Sequence, residues 1–166
     1  MSRTEWWQRG PVDGVPALLQ PVAHIVGQIG ETVHELVAGL SEAQWNARPA
    51  DVASAAYHVR HITGVLDRLF TYARGDGLSE AQFDALRRER DALALDDVSR
   101  VLLAFDAQIA AAMMTLRATD PSTLGDYRSV GRAKLPSTVI GCLVHGAEHG
   151  MRHVGQLSVT VRVVRA

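Results

Sequence analysis

The chain has 166 residues, 47% of them hydrophobic and 21% charged, with a net charge of -1 and one cysteine, Cys142. This balance lacks the basic footprint of a nucleic-acid binder, and a lone cysteine excludes an intrachain disulfide and suits a reducing, cytoplasmic setting. The length suits a single domain over residues 1–166; no apolar run reaches 18 residues and the N-terminus has no signal-peptide core, so no membrane partner is expected.

Residues 1–15 are expected to form an irregular lead-in, with turn signals at Gly10-Pro11 and Asp13-Gly14 and with Trp6 and Trp7 packing on the body. From Pro16, the residues Leu18, Val22, Ile25, Val26, Ile29, Val33, Leu36, Val37 and Leu40 follow the spacing of one buried helical stripe. Pro21 inside that stripe bends the helix or delays its start, and Gly39 ends it. His24 and His34 lie here as lone surface or packing residues. Ser41–Gln44 has capping-box spacing and opens a short turn of helix before Pro49.

A second helix is predicted from about Val52 to Arg74, with Ser54 near its start and Gly75-Asp76-Gly77 as its stop. Ser79–Gln82 repeats the capping box and opens a charged, helical piece of a long crossover. A third helix is predicted from about Asp96 to Arg117, with Met113 and Met114 as core filler. Thr119–Leu135 reads as loop. Its Arg128, Arg132 and Lys134 form a solvated loop or, in a sharper reading, an anion-binding rim for substrate. Pro136 suits the start of a fourth helix to about Val161, with the β-branched tail continuing or fraying it. Four long helices define an all-α, four-helix bundle with a long crossover between helices two and three.

The chemistry concentrates in Val144–Gln156, where His145, His149 and His153 recur every four residues on one helix face. They cannot all bind one ion, because eight residues rise about 12 Å while two nitrogens on one zinc lie at most roughly 4 Å apart. A pair containing His149 can do so, with the remaining ligand on another helix. The second helix offers His58 and His61, and periodicity favours His58, which lies closer to the line of Ile62, Val65 and Leu69. Several histidines in a purely apolar interior are costly, since each imidazole needs partners; a metal explains them better. His145-Gly-Ala-Glu148-His149 also matches H-x-x-E-H, but only 17 residues follow His149, with no downstream ligand but His153. Glu148 more naturally pairs with Arg152 or orients a ligand.

Three stretches carry a family resemblance. Leu40–Pro49 is similar to a polar L-S…R-P connection after the first helix. Ser54–Asp67 is similar to a helix in which a serine precedes a ligand histidine by seven residues. His145–Gln156 is similar to an ending H-x-x-x-H-x-x-x-H-R-G-Q, with Val154 in place of the usual arginine. In these the chain resembles the DinB-like family, also described as DinB/YfiT-like metalloenzymes. The resemblance implies a four-helix bundle, often a homodimer, holding zinc or nickel on His61, His149 and His153, with His145 and His58 as alternate or supporting residues. Thus it names His61 where periodicity favours His58. It also implies thiol-dependent transfer, with a low-molecular-weight thiol such as bacillithiol, mycothiol or glutathione and a small-molecule substrate. A hydrolase using activated water, and a non-enzymatic metal-binding or dimerising protein, are the alternatives. Cys142 is expected to be a buried structural cysteine.

Overall fold

The computed structural model describes residues 4–166, which are mostly helical with one small two-stranded sheet. The lead-in carries a single 3-10 turn at Trp6–Gln8. Trp6 packs its ring on Gly27, where a Cβ would collide with it, whereas Trp7 is 64% exposed. The first long helix, α1, spans Gln20–Val37 after a 3-10 turn at Ala17–Leu19. Pro21 therefore sits in its first turn, where no N–H is missed, and sets the start rather than a kink. Gly39 takes φ +72° and lets the chain leave.

Both serine capping boxes form. Ser41 opens α2 (Glu42–Asn46) and Ser79 opens α4 (Glu80–Arg88). Ser54 caps α3 (Ala55–Arg74), which ends on Gly75 in the left-handed region. α5 spans Val98–Ala118 and α6 spans Val139–Arg165.

The segment read as loop before α6 is in part a hairpin. β1 (Tyr127–Val130) pairs antiparallel with β2 (Leu135–Thr138), and Gly131 and Lys134 turn the chain with positive φ. Pro136 lies in β2 opposite Ser129 and does not begin the helix; in a two-stranded ribbon every strand is an edge, so its missing N–H costs little. Thr138 caps α6 instead, accepting from the Gly141 N–H. The β-branched tail stays helical to Arg165.

The helix directions follow from their contacts. Gly150 of α6 meets Ile29 of α1, and Arg165 reaches the carbonyl of Ala38, so α1 and α6 run the same way. His34 of α1 pairs with Asp106 of α5 at 2.6 Å and Gly30 faces Ile109, so those two oppose. His58 faces His153 and His61 faces His149, so α3 opposes α6. α3 and α5 are therefore parallel, and residues 75–97 must carry the chain back along α3. The core between the four long helices includes Val26, Ile29, Val33, Ile62, Leu66, Phe70, Phe105, Leu116, Leu143 and Leu157, all buried.

By length and composition one stretch of the described residues, Leu95–Ala118, could cross a membrane. It is amphipathic in this fold: Phe105, Ala112, Met113 and Leu116 point inward, while Leu103 and Met114 are exposed. Met113 is thus core filler, but Met114 is not.

Candidate metal centre

Glycine sets the spacing of the two helices that carry the histidines. A Cβ on Gly150 would lie 2.9 Å from Ile29 Cδ1, and one on Gly146 would lie 3.1 Å from the Phe70 ring. Without side chains there, α6 sinks against α1 and α3. The neighbouring positions, His149 and His153, are then carried to the seam with α3.

At that seam His61, His149 and His153 offer one nitrogen each within 4.8 Å of one another. His61 Nε2 lies 3.1 Å from His149 Nε2, and the rings of His61 and His153 are 4.4 Å apart. All three are half-buried, at the edge between core and solvent. Burial, and then the neighbouring His61, pushes His153 down to about 4 and holds His149 below its ordinary value. Both are therefore neutral near pH 7, the form in which imidazole donates a lone pair.

The outward nitrogens of His61 and His153 are held by neighbours. His61 Nδ1 lies 2.7 Å from Glu89 Oε2. A carboxylate only accepts, so Nδ1 carries the proton and Nε2 is left with its lone pair. His153 Nδ1 lies 3.0 Å from His58 Nδ1. When His153 donates that hydrogen bond, its Nε2 is free to bind a cation. His58 is only 3% exposed, and burial followed by the His61 charge pushes it down to about 4, keeping it neutral and able to accept. Periodicity thus picked the more buried histidine of α3, but His58 stands behind His153 and outside the cluster, while His61 is brought into it.

Glu89 is the residue the sequence did not reveal. It follows α4 in the crossover, is 4% exposed, and its second oxygen forms a 2.9 Å ion pair with Arg68 Nη1. Burial alone would raise its pKa, but the hydrogen bond from His61 and the Arg68 charge outweigh that and hold it below the usual carboxylate range. Gly64 makes the room: a Cβ there would stand 2.6 Å from Glu89 Oε1 and closer still to Arg68 Nη1. Tyr57, one turn before His61, stacks on the His61 ring at 5.1 Å with an interplanar angle of 12°. The Arg90 guanidinium lies 5.2 Å from the centroid of the Tyr57 ring.

The remaining sequence candidates lie elsewhere. His145 is exposed, 3.5 Å from Glu148, and outside the cluster. Glu148 pairs with Arg152 on the surface. Arg128 donates to the carbonyls of Ala73 and Tyr127, covering the end of α3. Arg132 lies over the Phe83 ring in a cavity of about 470 Å³. Lys134 is exposed in the hairpin turn, and the cavities lined by Arg128 and Arg132 contain none of the three histidines. Cys142 is buried, with Sγ 3.6 Å from Ser137 Oγ.

The donor set suits a divalent cation. Two nitrogens on one ion at about 2.1 Å lie no more than about 4 Å apart, so a spacing within 4.8 Å needs only small side-chain adjustment. His149 Nε2 faces the cluster, and its other nitrogen, Nδ1, is buried with no hydrogen-bond partner, so His149 lacks the brace that His61 and His153 have. Three histidines converging from two helices, braced by a carboxylate and a fourth histidine, define a helical protein able to hold a divalent metal. The family profile described as the DinB superfamily matches residues 28–157. The chain belongs to that superfamily. No curated protein matches it.

Proposed function

We propose that this protein is a divalent-metal-dependent enzyme whose metal, zinc or nickel, is held by His61, His149 and His153, and that it transfers a low-molecular-weight thiol to a small electrophile. The observation that carries this reading is the number of ligands: the cluster among the described residues has three histidines. Structural zinc sites close with four protein ligands, whereas catalytic ones keep a position open. The half-burial of all three leaves that position accessible from solvent. Bound there, a divalent cation supplies Lewis acidity and favours the thiolate form of a coordinated thiol, which is the nucleophilic form.

The chain's own residues prepare the site. Glu89 fixes the tautomer and tilt of His61, and Arg68 keeps Glu89 ionised. His58 accepts the outward proton of His153. Tyr57 forms one wall against the His61 ring. The four long helices, with the crossover along α3, are read here as the four-helix bundle of a single domain, working in the cytoplasm as a homodimer. Arg128, Arg132 and Lys134 remain candidate contacts for a larger anionic substrate reaching past the hairpin.

The test is elemental analysis of protein purified without chelator. Wild type should carry close to one zinc or nickel per chain, and H61A and H149A should each lose most of it. Full metal content in both variants would remove these ligands from the reading. A thiol panel with a reactive electrophile, run with and without chelator, separates thiol transfer from hydrolysis and from a purely metal-binding role.

A further inference from the structure

Beside the three histidines, on the side of the α3 N-terminus, lies a separate cavity of about 270 Å³ lined by Arg48, Asp51, Ala53, Ser54, Tyr57 and Arg90. Tyr57 belongs to both places, since its ring also stacks on His61 and meets the edge of His153 at 6.2 Å. None of the three histidines lines this cavity: the Tyr57 ring divides the two places, with His61 stacked on it and Arg90 lying over it, so a molecule reaching both must pass the edge of that ring.

The arginines are poorly neutralised. Among the described residues Arg90 has no carboxylate partner, only the Tyr57 ring. Arg48 has Asp51 at 3.7 Å, but that carboxylate is 97% exposed, where an ion pair holds weakly. Arg48 is held beside the cavity by an uncommon turn: Ala50 and Asp51 both take positive φ, 49° and 65°. Arg90 is placed by its neighbour, because Glu89 is anchored inward on His61 and the next side chain must turn outward over Tyr57. Two planar guanidinium forks match the two oxygens of a carboxylate. The Ser54 hydroxyl already accepts from the Tyr57 N–H at 3.2 Å, leaving its own proton to donate. The lining has no lysine and no run of glycines with which a backbone nest could cradle a phosphate.

We infer that this cavity takes a carboxylate of the small molecule whose reacting group occupies the three-histidine site. The inference rests on reading those histidines as a substrate site, and it makes the substrate class small carboxylic acids.

Metal-free, full-length protein is titrated with succinate and with succinamide while the side-chain Nε–H signals of Arg48 and Arg90 are followed by NMR. Succinate should shift both saturably and succinamide neither. R48Q and R90Q should each weaken succinate binding about tenfold or more, the scale of one charge-assisted hydrogen bond. R117Q, which removes a cation bonded to the Asp13 carbonyl at the far end of α5, should leave binding unchanged within about twofold. The inference is overturned if succinate moves neither signal, if R48Q and R90Q bind it like wild type, or if orthophosphate displaces it at lower concentration. Because no metal is present, failure of the metal site would leave this result standing. On zinc-loaded protein, calorimetry should show 3-mercaptopropionate binding about tenfold tighter than 2-mercaptoethanol, with the ratio falling to about one in R48Q/R90Q. An unchanged ratio would separate the cavity from the histidines and overturn the link.

Discussion

Two connections in this molecule are long, charged and similar on paper, yet they do opposite things. Residues 75–97 join α3 to α5 and bury Glu89 against His61 and Arg68. Residues 119–138 join α5 to α6 and keep their arginines on outer surfaces, at the end of α3 and over Phe83. The difference comes from helix direction. α3 and α5 are parallel, so the first connection must return along α3 and passes His61 on the way. α5 and α6 are antiparallel, so the second turns at one end and its charges stay there. Which loop reaches a bundle's interior is decided by the helices it joins more than by its own composition.

The largest expected break in this comparison is E89A. Removing the carboxylate leaves Arg68 buried without its partner and should cost roughly 3–5 kcal/mol by urea unfolding of metal-free protein. It should also weaken metal binding about 10- to 100-fold, the usual effect of losing the residue that orients a ligand histidine. A loss under about 1 kcal/mol would show Glu89 to be a bystander.

Acid should act through the same side of the molecule. His58, pushed down to about 4 from 6.5, refuses in the folded state a proton that the unfolded chain accepts. The unfolded state then binds more protons between those values, so stability falls as pH drops through that window, by up to about 1.4 kcal/mol per pH unit from this residue. Glu89 adds to the loss at lower pH: its depressed pKa gives a contribution that is full above the unfolded value and disappears as pH falls through the folded one. Urea midpoints of chelated protein between pH 7 and pH 4 measure the slope, and H58N should remove the His58 share of it while His153 and His149, also pushed down, keep theirs. An unchanged slope in H58N would place the acid sensitivity elsewhere.

G64A tests the room behind the ion pair. An added methyl collides with Arg68 and Glu89 and should cost about 1–3 kcal/mol, with weaker metal binding as well. Intact metal affinity in a destabilised G64A would show that the pair relaxes without releasing His61. R128Q, on the other connection, should cost only about 1 kcal/mol by losing a hydrogen bond to Ala73, and leave metal affinity alone. Loss of metal in R128Q would erase the contrast between the two connections.

Much of the scaffold was legible because its signals are local. Ser41, Ser54 and Ser79 cap the helices they precede, and Gly75 stops α3, since a cap is a bond between residues three or four apart. The hairpin was not legible: its strands are four residues each, and Pro136 carries the signature of a helix start. Periodicity on α3 measured burial and so led to His58, whereas a cation needs a residue at the edge of the core, where His61 lies. Glu89 sits among arginines in a segment that looks wholly solvated. Only the path of the crossover brings it inward, and no spacing within the segment encodes that path.

Gly150 has a consequence for how such a site can be lost. Its hydrogen faces Ile29 Cδ1, the far end of a side chain that can turn aside for one methyl, whereas a bulky side chain there must lift α6 away from α1. His149 and His153 ride on that helix, so a bulky substitution would widen the histidine cluster with every polar residue intact. A descendant carrying that change could keep all its histidines, look like its relatives by motif, and bind no metal. Reading activity across this superfamily from histidines alone therefore overlooks the silent partner that holds them in range.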